Sequence, residues 1–222
     1  MSEASAAAQA GIAVAPLPSV LVLGIGNMLW ADEGFGVRAL EALHQRYRMP
    51  EQVSLVDGGT QGMYLLDRVC AADYVLVLDA IDYGLRPGTL RLFRDDAVPA
   101  WSDTMMSLHQ ATFQELLTMA RLRDRFPSRI TLIGVQPQRL DDLGGSLSPC
   151  VRDRVDEAVE LAAAELRAWG VRPVLRDTPP QDSVVAAPLS IAAYESGRPS
   201  ANDACRIGDE RVLAAFTPRE RD

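Results

Sequence analysis

Residues 19–27 read Ser-Val-Leu-Val-Leu-Gly-Ile-Gly-Asn. A short aliphatic run closed by Gly24-Ile25-Gly26 has the character of a strand buried on both faces and ended by a tight turn. Helical spacing follows over 34–47, where Val37, Leu40 and Leu43 share one face and Arg38, Glu41 and Gln45 lie elsewhere. The same alternation continues along the chain. Val53–Asp57 is predicted as a second strand stopped by Gly58-Gly59, 62–69 as a short helix through Met63, Leu66 and Val69, and Tyr74–Asp79 as a third strand. Pro87-Gly88 turns into an edge-like strand at Thr89–Phe93, and Ala97–Leu108 reads as loop. Gln110–Ala120 reads as helix, Ile130–Val135 as strand, and Cys150–Trp169 as one long amphipathic helix closed by Gly170. These elements predict a three-layer α/β domain over 19–170: a mostly parallel, twisted sheet of about five strands with helices on both faces.

The flanks differ from this core. Met1–Pro18 is alanine-rich, carries no basic residue and has no continuous apolar segment, so it is expected to be a flexible leader rather than a secretory signal. From residue 171 to 222 prolines recur and periodicity fades, and the expectation is an appended, largely disordered tail.

Composition removes whole classes of function. In 222 residues the formal net charge is −8, which argues against nucleic acid or an anionic membrane surface as the main partner. No apolar run approaches the length of a membrane span. All 22 basic residues are arginine, which excludes Schiff-base chemistry, a lysine general base and a P-loop lysine. Cys70, Cys150 and Cys205 stand far apart, which fits reduced thiols in the cytoplasm better than a zinc site or a disulfide framework. No G-x-S-x-G elbow is present, so a serine nucleophile has no motif to sit in.

Gly24-Ile25-Gly26 invites a dinucleotide reading, yet the third glycine of that fingerprint would fall on Leu29. Asp32-Glu33 precede the following helix, where a pyrophosphate would need positive potential; they would repel it and can themselves occupy the amide donors. No nucleotide cofactor is expected. The strands instead lead to acids: the first to Asp32 and Glu33, the second to Asp57, the third to Asp79, with Asp82 close behind. Should these strands be neighbours, several carboxylates converge where open α/β sheets bind ligands, and their repulsion calls for raised pKa values or a cation. His109 would complete a Glu, Asp and His set suited to nickel, zinc or a similar divalent ion. Singly, each residue has a plainer reading: Asp32 or Glu33 as a helix-start carboxylate, Asp57 and Asp79 as turn-formers, His109 as a helix opener, His44 as structural.

The string from Gly24 to Gly36 (GIGNMLWADEGFG), together with Asp57-Gly58-Gly59-Thr60, Val77-Leu78-Asp79-Ala80 and Ser107-Leu108-His109-Gln110, resembles the nickel–iron hydrogenase maturation endopeptidases, in particular the branch serving membrane-bound uptake hydrogenases. The resemblance runs from about Ser19 to Gly170. It implies a cytoplasmic hydrolase that removes a C-terminal extension from the precursor of the hydrogenase large subunit after nickel insertion. It further implies that the nickel is carried by the substrate and serves as the recognition signal. It also implies that Glu33, Asp79 and His109 contact the metal, with Gly26, Asn27, Gly58, Gly59 and Thr60 shaping the supporting loops. The catalytic group stays open among Asp32, Asp57 and Asp79. The alternative is a non-catalytic maturation chaperone that grips the metallated precursor through the same trio.

Overall fold

In the computed structural model, residues 17–100 and 108–198 are described, with side chains left undescribed at 99–100 and 108–112. The chain runs β1 (Val20–Ile25), α1 (Phe35–Arg46), β2 (Tyr47–Arg48), β3 (Val53–Gly59), α2 (Leu66–Ala71), β4 (Tyr74–Ala80), β5 (Leu90–Arg94), α3 (Ala97–Ala100), α4 (Leu108–Leu122), β6 (Arg129–Val135), α5 (Pro149–Arg152), α6 (Val155–Ala168), β7 (Val174–Leu175) and α7 (Ile191–Gly197).

Period-two alternation divides the core. Val20 and Val22 of β1, Leu76 and Leu78 of β4, and Ile133 and Val135 of β6 face α1 and α6, where Phe35, Leu40, Leu43, Val159 and Leu166 receive them. Leu21, Leu23, Val75, Val77, Ile130 and Leu132 point the other way, onto Leu66 and Val69 of α2 and Phe113, Leu116 and Ala120 of α4. The result is the expected three-layer α/β architecture.

The sheet order is β3-β1-β4-β6-β5. All neighbours are parallel except the edge pair β5–β6. The chain leaves β1 for β3 on one side and then crosses to β4 on the other, so strand order reverses beside β1. Carboxyl ends of strands at such a reversal form a crevice. The three acid-ended strands are therefore the three consecutive neighbours β3, β1 and β4.

Several boundaries depart from the sequence reading. The second strand continues through Gly58 to Gly59, because a register shift after Gly24 pairs Ile25 with Gly59 and keeps the ladder running past Asp57. The long helix predicted over 150–169 is two pieces, α5 and α6, separated where Arg154 N–H bonds back to Val151 at 3.0 Å instead of continuing the helical ladder. Within the stretch expected as loop from Ala97 to Leu108, Ala97–Ala100 is helical and 101–107 lie outside the described residues.

The proline-containing segment expected to be a largely disordered tail is described as far as Arg198 and packs along α1. Leu175 pairs antiparallel with Tyr47, Arg176 N–H donates to the Arg46 carbonyl at 2.9 Å, and His44 Nε2 lies 3.3 Å from the Asp182 carboxylate. Residues 1–16 of the leader, and 199–222 with Cys205, lie outside the described residues.

Candidate functional site

The site begins with a backbone constraint. Gly26 closes β1 at φ 121°, a conformation that side-chain-bearing residues avoid, and a Cβ there would stand 1.8 Å from the Glu33 carbonyl oxygen and 3.8 Å from Asp79 Oδ1. The absence of that one carbon lets the Glu33 turn and the end of β4 close over the tip of β1. Gly36 serves likewise one turn later, where a Cβ would meet the Leu78 carbonyl at 2.1 Å. The backbone of half-buried Glu33 and the carboxylate of Asp79, only 2% exposed, thus both lie beside Gly26 at the crevice. Asp79 Oδ1 accepts the Ala80 N–H at 2.8 Å.

Asp32 turns the opposite way. The residue at the N-cap of α1 is Gly34, which has no side chain to cap with. The amide-occupying role expected for this acidic pair is replaced, for Asp32, by a different set of donors. Its fully buried carboxylate accepts N–H bonds from Gln138 at 2.9 Å, Arg139 at 2.8 Å and Ser148 at 2.6 Å, plus the Ser148 hydroxyl at 2.9 Å. Its own N–H donates to the Arg139 carbonyl at 3.1 Å. Asp32 therefore moulds the 138–148 loop around itself.

Asp57 lies across β1, paired with Gly24 in the ladder. Burial pushes its carboxyl above the usual range, opposed by the Gly59 N–H bond and the Arg38 charge. Its backbone carbonyl accepts from the Gln61 side chain at 2.9 Å, and Gly58 and Gly59 accept the Gln61 and Gly26 amides. Asn27 Oδ1 accepts the Leu29 N–H at 3.0 Å and so fixes the turn after Gly26. Thr60 is exposed. Asp82 is committed elsewhere: Gln136 donates to it at 3.0 Å and Gly84 N–H at 2.9 Å, which hold its carboxyl below the usual range.

The side chain of His109 is among those left undescribed; its backbone opens the first turn of α4. The chain descends α4 and climbs β6 in parallel with β4, so that turn lies at the carboxyl edge of the sheet. α4 covers the face that carries Val75 and Val77, and by alternation Asp79 belongs to the same face. Among the described residues, no group of three His, Cys, Asp or Glu side chains is placed to hold a metal ion. His44 is buried against Asp182, a structural position.

Some residues at this edge carried no readable signal. Tyr83 lays its hydroxyl over Gly134, at 2.4 Å from where a Cβ would stand, and Gly134 is the ladder partner of Asp79. The hydroxyl is buried without a hydrogen-bond partner among the described residues. Burial pushes the phenol far above its ordinary value and the Asp79 charge adds to this, so Tyr83 stays a neutral phenol. Buried Gln136 accepts the Tyr83 and Leu85 amides at 2.7 and 3.1 Å. Neither role shows in sequence, because tyrosine and glutamine occur in many unrelated settings. Ser148 had one signal, its place before Pro149, which reads as a helix start.

Parallel strands ending in carboxylates at a reversal of strand order, with a loop moulded around one of them, define an α/β protein whose chemistry lies at the carboxyl edge of its sheet. Comparison with known proteins narrows this. The family model HycI, hydrogenase maturation protease, matches residues 37–165. The hydrogenase expression/formation protein HupD of Thiocapsa roseopersicina is 52% identical over 91% of this chain and 93% of its own. The hydrogenase 2 maturation protease of Escherichia coli K12 is 41% identical over 71% of this chain and 96% of its own. The solved structure of the hydrogenase maturating endopeptidase HybD from Escherichia coli superposes with a TM-score of 0.68 at 40% identity, covering 71% of this chain and 97% of that one. The chain belongs to the hydrogenase maturation protease family and is an endopeptidase, a hydrolase acting in hydrogenase maturation.

Proposed function

We propose that this endopeptidase acts in the cytoplasm on the precursor of a nickel–iron hydrogenase large subunit, removing its C-terminal extension once nickel has been inserted. The substrate's own nickel is the recognition signal, contacted by Glu33, Asp79 and His109. The observation that carries this reading is that the Glu33 backbone and the Asp79 carboxylate both lie beside Gly26 at the carboxyl edge of the sheet. The backbone of His109, in the first turn of the helix that covers the Asp79 face, supports adding it as a third contact. Carboxylate and imidazole donors suit a borderline divalent ion. Free thiols at Cys70 and Cys150 agree with a reducing compartment.

In the hydrolysis, water adds to the scissile carbonyl carbon, the C–N bond breaks, and the released amine takes the proton that the water gives up to a general base. Asp57 and Asp79 are the candidates for that base. Burial holds Asp57 above the usual carboxylate range, closer to what a base working near neutral pH needs. Asp32, with four donors already on its carboxylate, holds the loop and turn beside the reaction.

The test incubates purified protein with nickel-loaded and nickel-free precursor. A mobility shift with the loaded precursor alone is expected. Equal cleavage of both overturns the metal-reading role, and a shift in neither overturns the endopeptidase reading in favour of a chaperone. Asp79→Asn and His109→Ala are expected to abolish processing while the protein stays folded; wild-type rates in either remove that position from the site.

A further inference from the structure

The segment beyond the core reaches the site from outside the sheet. After β7 the chain returns along α1: Arg176 Nε donates to the His44 carbonyl at 3.1 Å, Arg38 to the Leu189 carbonyl, and Ile191 N–H to the Glu41 carboxylate at 3.1 Å. Ser190 caps the start of α7 by accepting the Ala193 N–H at 3.4 Å. α7 has 7 residues, too few to be stable alone, so its contacts hold it in place.

Those contacts converge on the loop that surrounds Asp32. The Tyr194 hydroxyl donates to the Gly145 carbonyl at 3.2 Å, and the buried Arg38 guanidinium lies 5.3 Å from the centre of the Tyr194 ring. The Ser146 hydroxyl donates to Glu195 Oε1 at 2.6 Å. Arg152 reaches both Ser146 Oγ and Glu195 Oε2 at 3.2 Å. On its other side the loop gives the Gln138, Arg139 and Ser148 amides to Asp32, bridges from Leu143 and Gly145 to Trp30, and donates from Gly144 N–H to the Leu29 carbonyl at 2.7 Å. The loop contains adjacent glycines, Gly144 and Gly145, so ordering it costs more backbone entropy than an ordinary loop of its length. It is laminated between the turn that carries Glu33 and the helix that carries Tyr194 and Glu195.

We infer that Tyr194 and Glu195 are positioning residues for the hydrolysis: from α7 they hold the 138–148 loop in the shape that grips Asp32, and through it the turn that presents Glu33. The inference rests on the proposed role of Glu33 as a contact to the substrate's metal. Neither residue touches that contact; each acts through the loop.

The experiment uses the full chain carrying Tyr194→Phe, Glu195→Ala, or both, with Glu195→Gln as the variant that keeps an acceptor for Ser146. Two readouts are taken: amide exchange at Gln138, Arg139 and Ser148 against the amides of β4, and processing kinetics with nickel-loaded precursor. The double variant is expected to raise exchange at those three amides by about tenfold with β4 unchanged. Its kcat is expected to fall by about tenfold with KM within about twofold, since the loss falls on presentation rather than docking. Glu195→Gln is expected to recover most of both effects. A structural role alone would loosen β4 along with the loop and leave kcat of the folded fraction intact. Unchanged exchange at the three amides overturns the inference, as does a loosened loop with unaltered kcat. Wild-type protein that cleaves neither precursor sinks the proposed function and the positioning role with it, while the exchange arm still reports whether the clamp exists.

Discussion

Asp32 and Tyr83 meet the same problem, a buried polar group at the carboxyl edge of one sheet, in opposite ways. Asp32 gathers three amides and a hydroxyl. The Tyr83 hydroxyl lies against Gly134 with no acceptor among the described residues. A satisfied buried group ties its surroundings into one shape, whereas a buried donor without an acceptor costs about 1–3 kcal/mol and concentrates that cost in one place. The first group is thus architecture for the loop, and the second is an expense carried one residue across the ladder from Asp79.

The contrast can be broken most forcefully at Asp32. Asp32→Ala leaves its donors unpaired in the interior, and a loss of about 3–5 kcal/mol in urea unfolding is expected; a loss under about 1 kcal/mol would mean that the loop does not depend on this carboxylate. Gly26→Ala comes next, because the new Cβ collides with the Glu33 carbonyl. About 2 kcal/mol of stability is expected to go, with the Glu33 turn displaced in a crystal structure of the variant. Unaltered stability and geometry would show that the junction tolerates a side chain.

A third effect is read from pH and extends the comparison to a satisfied group far from the crevice. Burial raises the Glu165 carboxyl, but bonds from Arg94 and Thr131 outweigh it and leave the group below its ordinary value of 4.5. A depressed carboxyl contributes stability that is present above the unfolded value and lost as pH falls through the folded one. The denaturation midpoint is therefore expected to drop on acidification below about pH 4.5, and Glu165→Gln to flatten that part of the profile. Asp57 has the opposite sign: burial raises it, so its contribution is present below its unfolded value and is lost as pH rises through the folded one. The smallest expected change is Tyr83→Phe, which deletes the hydroxyl without an acceptor and should leave stability unchanged or raise it by about 1 kcal/mol. Destabilisation by that amount would reveal a partner for the hydroxyl.

Much of the fold was legible because two periodicities carried it. The alternating faces of Val20–Ile25 and Tyr74–Ala80 and the helical stripe of Val37, Leu40 and Leu43 follow from burial alone, and burial is written locally. Where local rules failed, a distant partner had overruled them. Gly58-Gly59 reads as a stop, yet β1 offers a ladder that carries the strand to its end. The segment after Gly170 lacks periodicity and reads as unstructured, yet Arg38, Glu41 and His44 on α1 supply partners to Leu189, Ile191 and Asp182.

The candidate site divides along the same line. Glu33, Asp79 and the glycines between them were visible in sequence as acids and turns after strands, since residue type and spacing are local properties. Tertiary structure alone decided that Asp32, next to Glu33, turns its carboxylate onto a loop more than 100 residues away while Asp79 stays at the crevice. It alone decided that α7 would close on that loop. Each of these depends on which donors the folded chain brings within hydrogen-bond reach, and that distance is set by the order of strands in the sheet, which no stretch of residues encodes by itself.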